Sequence, residues 1–155
     1  QSFSGLTVNE KGEFVLDVEE ELFSSIPVSN AIDYDSFIAD SRSGKREKYR
    51  EPRPPEKVRE AFGVNTLVTY IPYNFILHLD NHHQGTTEEA TRKVGEVLAT
   101  ADTIGFGGIS KGGAKQYYAL KYNGEKATVI AFTVGRINRG GFVLPILHTQ
   151  IHAMQ

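Results

Sequence analysis

Hydrophobic and polar positions alternate along the last third of the chain, with the period of two that is typical of half-buried β-strands. Three such segments follow one another, at residues 116–122, 127–134 and 142–152. An Asn-Gly pair that begins at Asn123 separates the first two, and this dipeptide is the strongest short-range indication of a tight hairpin. A glycine-rich turn over residues 136–141 precedes the last segment. The pattern therefore predicts a three-stranded antiparallel meander.

Upstream of the meander, apolar positions recur with helical spacing in two segments, residues 73–83 and residues 87–101. Thr86 and Glu89 are spaced as a capping box at the start of the second helix. A meander must bury one of its faces, and these helices are its long apolar partners. We therefore predict an α+β fold in which N-terminal helices pack on a C-terminal antiparallel β-meander.

Shorter elements surround these helices. Residues 56–62 suit a short helix, because Pro55 stands at its start and Gly63 just beyond its end. Residues 66–71 are rich in β-branched side chains and predict a strand. Residues 105–114 contain five glycines and are interpreted as a mobile loop.

Charge is segregated along the chain. Residues 1–40 contain one Lys and nine Asp or Glu, whereas residues 41–60 contain eight Lys or Arg and four Glu. We predict that residues 1–60 form an acidic, then basic, N-terminal extension or linker, and that residues 61–155 form the compact domain. Within the extension, residues 14–18 suit a short strand and residues 18–23 a helical turn.

The basic stretch 41–55 has two interpretations. It is polar and ends in Pro54 and Pro55, which is typical of a linker or an exposed arm. Alternatively, its Arg and Lys residues neutralise phosphates while Tyr49 stacks on a base, as in an arm that contacts nucleic acid. The excess of positive charge after residue 40 fits a polyanionic partner.

Composition excludes several classes of protein. The 155 residues suit one domain, and the absence of Cys excludes disulfides and Cys-ligated metals. No apolar run approaches the roughly 18 residues of a membrane span, so a membrane partner is not expected. No signal peptide is visible. Because the chain begins at Gln1, we expect a piece of a longer protein.

A histidine cluster at the end of the first long helix is the main candidate for chemistry. His78 and His82 lie one helical turn apart, with Asp80 between them and His83 directly after. His78, Asp80 and His82 could ligate a metal, although the Glu that follows the first His in many zinc sites is replaced by Leu79. The same imidazoles could act as acid and base without metal, or simply decorate a solvated helix end.

Further candidates come from the predicted sheet and its turns. With Tyr118, Leu120 and Tyr122 pointing to the core, Lys121 lies on the open face, where small neighbours leave room for a ligand. The last strand ends in polar residues, His148 and Thr149 among them, which either complete a site or mark the sheet edge. Cations that could contact phosphate stand in the glycine-rich segments or beside them: Lys111, Lys115, Arg136 and Arg139.

Two features together resemble the barnase–EndoU–colicin–RelE (BECR) superfold of small ribonucleases, in the form found in phage and polymorphic-toxin proteins. One is the ILHLDNHH helix, followed by a helix that ends VLATADTI. The other is the meander YYALKYNG, ATVIAFTV and FVLPILHT, whose last strand places Thr beside His. The resemblance covers residues 70–152, and residues 1–40 have no counterpart in it.

The resemblance implies an endoribonuclease that needs no metal or other cofactor. By position, His78 or His83 would be acid or base, Lys121 the charge on phosphate, and Thr149 with His148 the polar group at the strand end. It further implies delivery as the C-terminal piece of a larger secreted or phage-borne protein and action in the bacterial cytoplasm. The partners would be RNA, with tRNA among the candidates, and a dedicated inhibitor or immunity protein.

The corresponding reaction is attack by the RNA 2′-hydroxyl on the adjacent phosphate. One His takes the proton, a second protonates the leaving 5′-oxygen, and Lys121 or Arg136 stabilises the charge that develops. Two alternatives remain from the residues themselves. One is a metal-dependent hydrolase that uses His78, Asp80 and His82. The other is a non-enzymatic module whose acidic and basic segments bind other proteins.

Overall fold

The computed structural model describes residues 26–82, 85–109, 115–137 and 140–152. These residues form four helices and a six-stranded sheet, which is an α+β arrangement as predicted. The helices are α1 (Tyr34–Arg42), α2 (Glu56–Phe62), α3 (Tyr73–His82) and α4 (Thr87–Thr100). The strands are β1 (Lys48–Arg50), β2 (Leu67–Pro72), β3 (Thr103–Ile109), β4 (Lys115–Asn123), β5 (Lys126–Ile137) and β6 (Gly140–His152).

The predicted meander is confirmed and forms half of the sheet. The strand order is β1-β2-β6-β5-β4-β3, and every neighbouring pair is antiparallel except β2 with β6. Gly124 has a φ of 75° in the turn between β4 and β5, a left-handed conformation that glycine adopts without strain. Both long predicted helices and the short helix α2 are also present. The predicted strand and helical turn within residues 14–23 lie outside the described residues.

The helices cover one face of the sheet and build one core with it. The core combines side chains from α1 to α4 with inward-facing side chains of the strands: Phe37, Ile38, Val58, Phe75, Ile76, Leu79, Val94, Val97, Leu98, Leu67, Ile71, Tyr117, Ala119, Ile130, Phe132 and Val143. Because α1 and α2 contribute to it, this core begins well before residue 61.

Two predicted irregular segments are ordered strands. Part of the predicted linker is β1, which pairs antiparallel with β2. Tyr49 in β1 is buried and stacks on Phe37 of α1, so its predicted role as a base-stacking side chain is wrong. The predicted glycine-rich loop is wrong over residues 105–109, since they belong to β3 and pair with β4. Helix α1 was not anticipated.

Gly105 of β3 has a packing reason. Gly105 lies opposite Tyr118, and the tyrosine ring crosses it so closely that a Cβ at residue 105 would lie 2.5 Å from ring carbon Cζ and from the hydroxyl. At Gly107, the nearest atom to an added Cβ is the carbonyl oxygen of Gln116 at 3.5 Å, an ordinary contact. Hydrophobic periodicity could not find β3, because glycine has no side chain to alternate.

The predicted orientation of β4 is reversed. Tyr117 and Ala119 are buried against the helices, opposite Phe132 and Ile130 of β5, and Lys121 shares their side. Tyr118, Leu120 and Tyr122 therefore lie on the other face. Large aromatic side chains sit there because the cross-strand partners of Tyr118 and Tyr122 are alanines, Ala131 and Ala127.

Strand β6 has β2 as a neighbour along only the first part of its length. β2 pairs in parallel with residues 141–143 only, and then passes directly into α3 at Tyr73. Pro145 stands beyond that point, where the register with β5 shifts at a bulge. A proline is tolerated there because bulges and edges do not require its missing N–H. Among the described residues, no strand pairs with the second edge of residues 144–152 of β6, and the helices α3 and α4 lie beside it.

The start of α4 differs in detail from the prediction. Thr86 is the N-cap residue as expected, but its side chain makes no capping hydrogen bond. The predicted capping box is therefore not formed, and Glu89 is exposed. The helix begins at Thr87, whose buried hydroxyl donates a hydrogen bond to Asp80 of α3.

The two glycines of β3 give a matched test of the sheet. We expect Gly105→Ala to lower the free energy of unfolding by about 1–2 kcal/mol, because the new methyl group displaces the Tyr118 ring. Gly107→Ala, on the same strand, should change it by less than about 0.5 kcal/mol. Urea denaturation of both variants measures the difference, and equal destabilisation would contradict the close approach of Tyr118.

Candidate functional site

A cleft of about 360 Å³ lies between the first turns of α4 and the end of β6, and we call it the His148 cleft. Its lining residues come from both elements: Thr86, Glu89, Ala90, Lys93, His148, Thr149 and Gln150. No described strand pairs with this edge of β6, and a helix lies beside it, which leaves space for the cleft. It combines an imidazole, a carboxylate and an ammonium group.

The sheet determines how His148 enters this cleft. His148 lies opposite Ile130 of β5, in the row of side chains that faces the helices, and it is only 9% exposed. Thr149, the next residue, points to the other face but still lines the cleft, beside an edge of β6 that no described strand covers. On α4, Glu89 and Lys93 are four residues apart and so share one side of the helix.

A second, wider cleft of about 550 Å³ opens where β6 separates from β2, and we call it the His78 cleft. The wall of α3 contributes Asn74, Phe75 and His78, and the facing wall is the bulged stretch of β6 from Leu144 to Leu147. Pro72, Gln116 and Ala131 complete the lining. The His78 ring also lies 4.6 Å from the His82 ring, centroid to centroid, as the spacing of one helical turn predicts.

The predicted site residues fall into separate places. His148 and Thr149 share one cleft, whereas His78 lines the other. Lys121 lines neither; its ammonium group donates a 3.3 Å hydrogen bond to the carbonyl oxygen of Thr100, at the C-terminal end of α4. A lysine there satisfies a helix carbonyl and complements the helix dipole, which is a structural role.

The predicted phosphate contacts are only partly described. Lys115 lies in β4 opposite Ile109, and the backbone of Arg136 lies in β5 opposite Gly141. Lys115 is not among the described residues that line the His148 cleft or the His78 cleft. The remaining candidates, His83, Lys111 and Arg139, lie outside the described residues.

Asp80, the carboxylate of the metal-site alternative, is held by other partners. Both of its oxygens accept 2.8 Å hydrogen bonds from the Arg42 guanidinium, and one also accepts from the Thr87 hydroxyl. The Arg42 guanidinium holds the pKa of this carboxyl below its usual range. Within the described ranges, no group of three or more His, Asp or Glu side chains converges to hold a metal ion.

Two residues of the His148 cleft were not identified as functional from the sequence. The sequence pattern predicts only a helix-capping role for Glu89 and no role for Lys93. Their spacing on one helix face was the available indication, but nothing in the sequence places that face beside His148. This juxtaposition depends on how α4 crosses the sheet.

Comparisons with known proteins add no relative. No protein-family model, no curated protein and no solved structure matches the chain. The resemblance to the BECR ribonucleases thus stays a prediction. Among the helices that are described, none has the length and apolar character needed to span a membrane.

The Asp80 interaction predicts a pH-dependent stability. Because its pKa is lowered on folding, the carboxylate stabilises the fold above its unfolded pKa of about 3.9, and this contribution is lost as the pH falls through the lower folded pKa. We expect Asp80→Asn to cost about 1 kcal/mol at neutral pH, with a loss that shrinks below about pH 4. Urea denaturation across this pH range measures it.

Asp35→Asn is the control, since Asp35 pairs with Arg92 at an exposed position. It should change stability by less than about 0.5 kcal/mol at any of these pH values. A loss for Asp80→Asn that stays constant down to about pH 2 would show that the carboxylate charge does not support the fold.

Proposed function

We propose that the protein is a metal-independent endoribonuclease whose reaction takes place in the His148 cleft. The observation that carries this proposal is that His148, Glu89 and Lys93 line one cleft. RNA contains its own nucleophile, so the protein has to supply only a base, an acid and a positive charge. Those three groups are the ones present, and the BECR resemblance independently points to the same reaction.

Each of these residues has its own role in the proposed reaction. Glu89 accepts the proton of the 2′-hydroxyl as its oxygen attacks phosphorus, and protonated His148 donates a proton to the leaving 5′-oxygen. Lys93 neutralises the charge that develops on the phosphate. The bond from phosphorus to the 5′-oxygen breaks, so the products are a 2′,3′-cyclic phosphate and a free 5′-hydroxyl. Thr149 and Gln150 offer hydrogen bonds that orient the phosphate.

This assignment differs from the pair of histidines expected from the sequence. His78 lies in the other cleft, and Asp80 is bound to Arg42 and Thr87, so neither group is positioned to work with His148. Lys121 is likewise bound to the end of α4. A carboxylate and an imidazole on opposite sides of one phosphate can perform the same proton transfers as two imidazoles.

The proposed partners follow from this activity. The proposed substrate is single-stranded RNA, because its backbone and unstacked bases can enter a cleft between protein elements. A cell that makes such an enzyme in its cytoplasm needs protection, so an inhibitor or immunity protein that covers the His148 cleft belongs to the proposal. The toxin-like context within a larger protein rests on the resemblance alone.

Cleavage of RNA by the purified chain tests the proposal. We expect cleavage to persist in excess EDTA and to leave 2′,3′-cyclic phosphate ends. His148→Ala should reduce the rate at least about a hundredfold, whereas His82→Ala, an exposed histidine that lines neither cleft, should leave it nearly unchanged. If EDTA abolishes the activity and a divalent metal restores it, the metal-free mechanism is wrong. If no RNA is cut under either condition, the interaction-module alternative is favoured.

Glu89 has its own test on the same helix. Glu89→Gln keeps the size of the side chain but removes the base, so we expect a rate loss of about a hundredfold with unchanged RNA affinity. Glu96→Gln is the matched control, because Glu96 is exposed on α4 and lines neither cleft. Rates from single-turnover kinetics and affinities from fluorescence anisotropy separate the two effects. Equal rates for both variants would remove Glu89 from the mechanism.

A further inference from the structure

The His78 cleft differs in chemistry from the His148 cleft. Among the described residues that line it, none is Asp, Glu, Lys or Arg, and most of them are apolar. Three side chains with hydrogen-bonding groups interrupt that wall: Asn74, His78 and Gln116. A phosphate or a metal ion would lose hydration there without gaining a charged partner, which is costly. The cleft instead suits a neutral ligand with apolar faces and several donors and acceptors around its edge.

The two amide side chains are available for such a ligand. Within the described part of the chain, the side chains of Asn74 and Gln116 make no hydrogen bond, and both retain contact with solvent. Each amide carries a donor and an acceptor, and His78 adds a ring nitrogen of either kind. Asn and Gln amides pair with the hydrogen-bonding edges of nucleobases for this reason.

The position of the cleft connects it to the proposed reaction. Residues 144–147 of β6 line the His78 cleft, and residues 148–150 line the His148 cleft. At about 3.3 Å per residue, the centres of these two stretches are roughly 12 Å apart along one continuous edge. One RNA strand that follows this edge can therefore present a phosphate to the charged cleft and a base to the neutral one.

On this basis we infer that the His78 cleft is a base-recognition subsite, which holds one unstacked nucleobase of single-stranded RNA beside the scissile phosphate. That the neighbouring phosphate is the one cleaved rests on the proposed function, whereas binding of the base does not depend on cleavage. Single-stranded RNA is commonly read in this way, through splayed bases whose edges meet protein hydrogen-bonding groups. Asn74 and Gln116 are then the residues that determine specificity.

Neutral ribonucleosides are the probes, because they carry the base without a phosphate. Each of the four is titrated into the isotope-labelled full chain and followed by NMR, with free ribose and inorganic phosphate as comparisons. We expect at least one nucleoside to shift the amide signals of Asn74 and Leu147 more than those of Lys93. Phosphate should produce the opposite pattern, and ribose alone should produce neither.

Variants of the two amide residues, with a control on the helix of Asn74, make the test specific. Asn74→Ala should weaken binding of that nucleoside about fivefold, the effect of one lost hydrogen bond, and Gln116→Ala should do likewise. Asn81→Ala is the matched control, since Asn81 is exposed on the same helix and lines neither cleft. In cleavage assays on mixed-sequence RNA, Asn74→Ala should flatten any base preference beside the cut, and Asn81→Ala should retain it.

The outcomes separate the inference from the proposed function. RNA cleavage without nucleoside binding at the cleft, or with equal affinities for the Asn74 and Asn81 variants, would overturn the subsite and leave the nuclease intact. Nucleoside binding that depends on Asn74, in a chain that cuts no RNA, would support the base site and reject the nuclease. If the chain neither binds nucleosides nor cuts RNA, both are rejected.

Discussion

The short pairing between β2 and β6 is the constraint from which both clefts follow. β2 contacts β6 over residues 141–143 and then becomes α3 without an intervening loop. The rest of β6 keeps β5 on one side and, in the part of the chain that the structure describes, has no strand on the other. An edge of this kind is usually protected by a charge, a proline or a covering element, and here Pro145 and the two helices serve that purpose. The helices do not close the space completely, and the two clefts are what remains.

The helices that form the outer walls are held by polar contacts between elements. Arg42 at the end of α1 binds Asp80 of α3 and Glu88 of α4, and Asp80 also accepts a hydrogen bond from Thr87. These contacts join three helix ends beside the His148 cleft. Because Glu89 and Lys93 follow directly on α4, the orientation of the proposed catalytic groups depends on this cluster.

A buried carboxylate fixes the other side of α4. Glu51 is 4% exposed, and it accepts hydrogen bonds from the Tyr34 hydroxyl and from the backbone N–H of Arg53. Burial and the neighbouring Glu51 raise the pKa of the Tyr34 hydroxyl, so this donor keeps its proton at neutral pH. Gly95 of α4 provides the room, because a Cβ there would lie 2.5 Å from the carboxylate. The segment that resembled a linker thus helps to position the helix.

The two clefts together offer a division of tasks along one strand. The His148 cleft contains the groups that can transfer protons and neutralise phosphate, while the His78 cleft contains neutral groups that can distinguish bases. Histidine occurs in both, so residue type alone does not separate the roles. The charged neighbours separate them, since among the described lining residues a carboxylate and an ammonium group stand beside the imidazole in the His148 cleft and not in the His78 cleft.

Local patterns were sufficient for most elements of the fold and for naming His148 and Thr149 as candidates. The period-two alternation and the Asn-Gly turn determined the meander, and helical spacing determined α3 and α4, because both are properties of neighbouring residues. The sequence could not reveal β3, in which Gly105 makes room for the Tyr118 ring of another strand, or the burial of Tyr49. It also could not distinguish the faces of β4, since aromatic side chains suit either one. Only the tertiary structure placed Glu89 and Lys93 beside His148 and His78 elsewhere, because that grouping depends on where β2 leaves the sheet and how α4 crosses it.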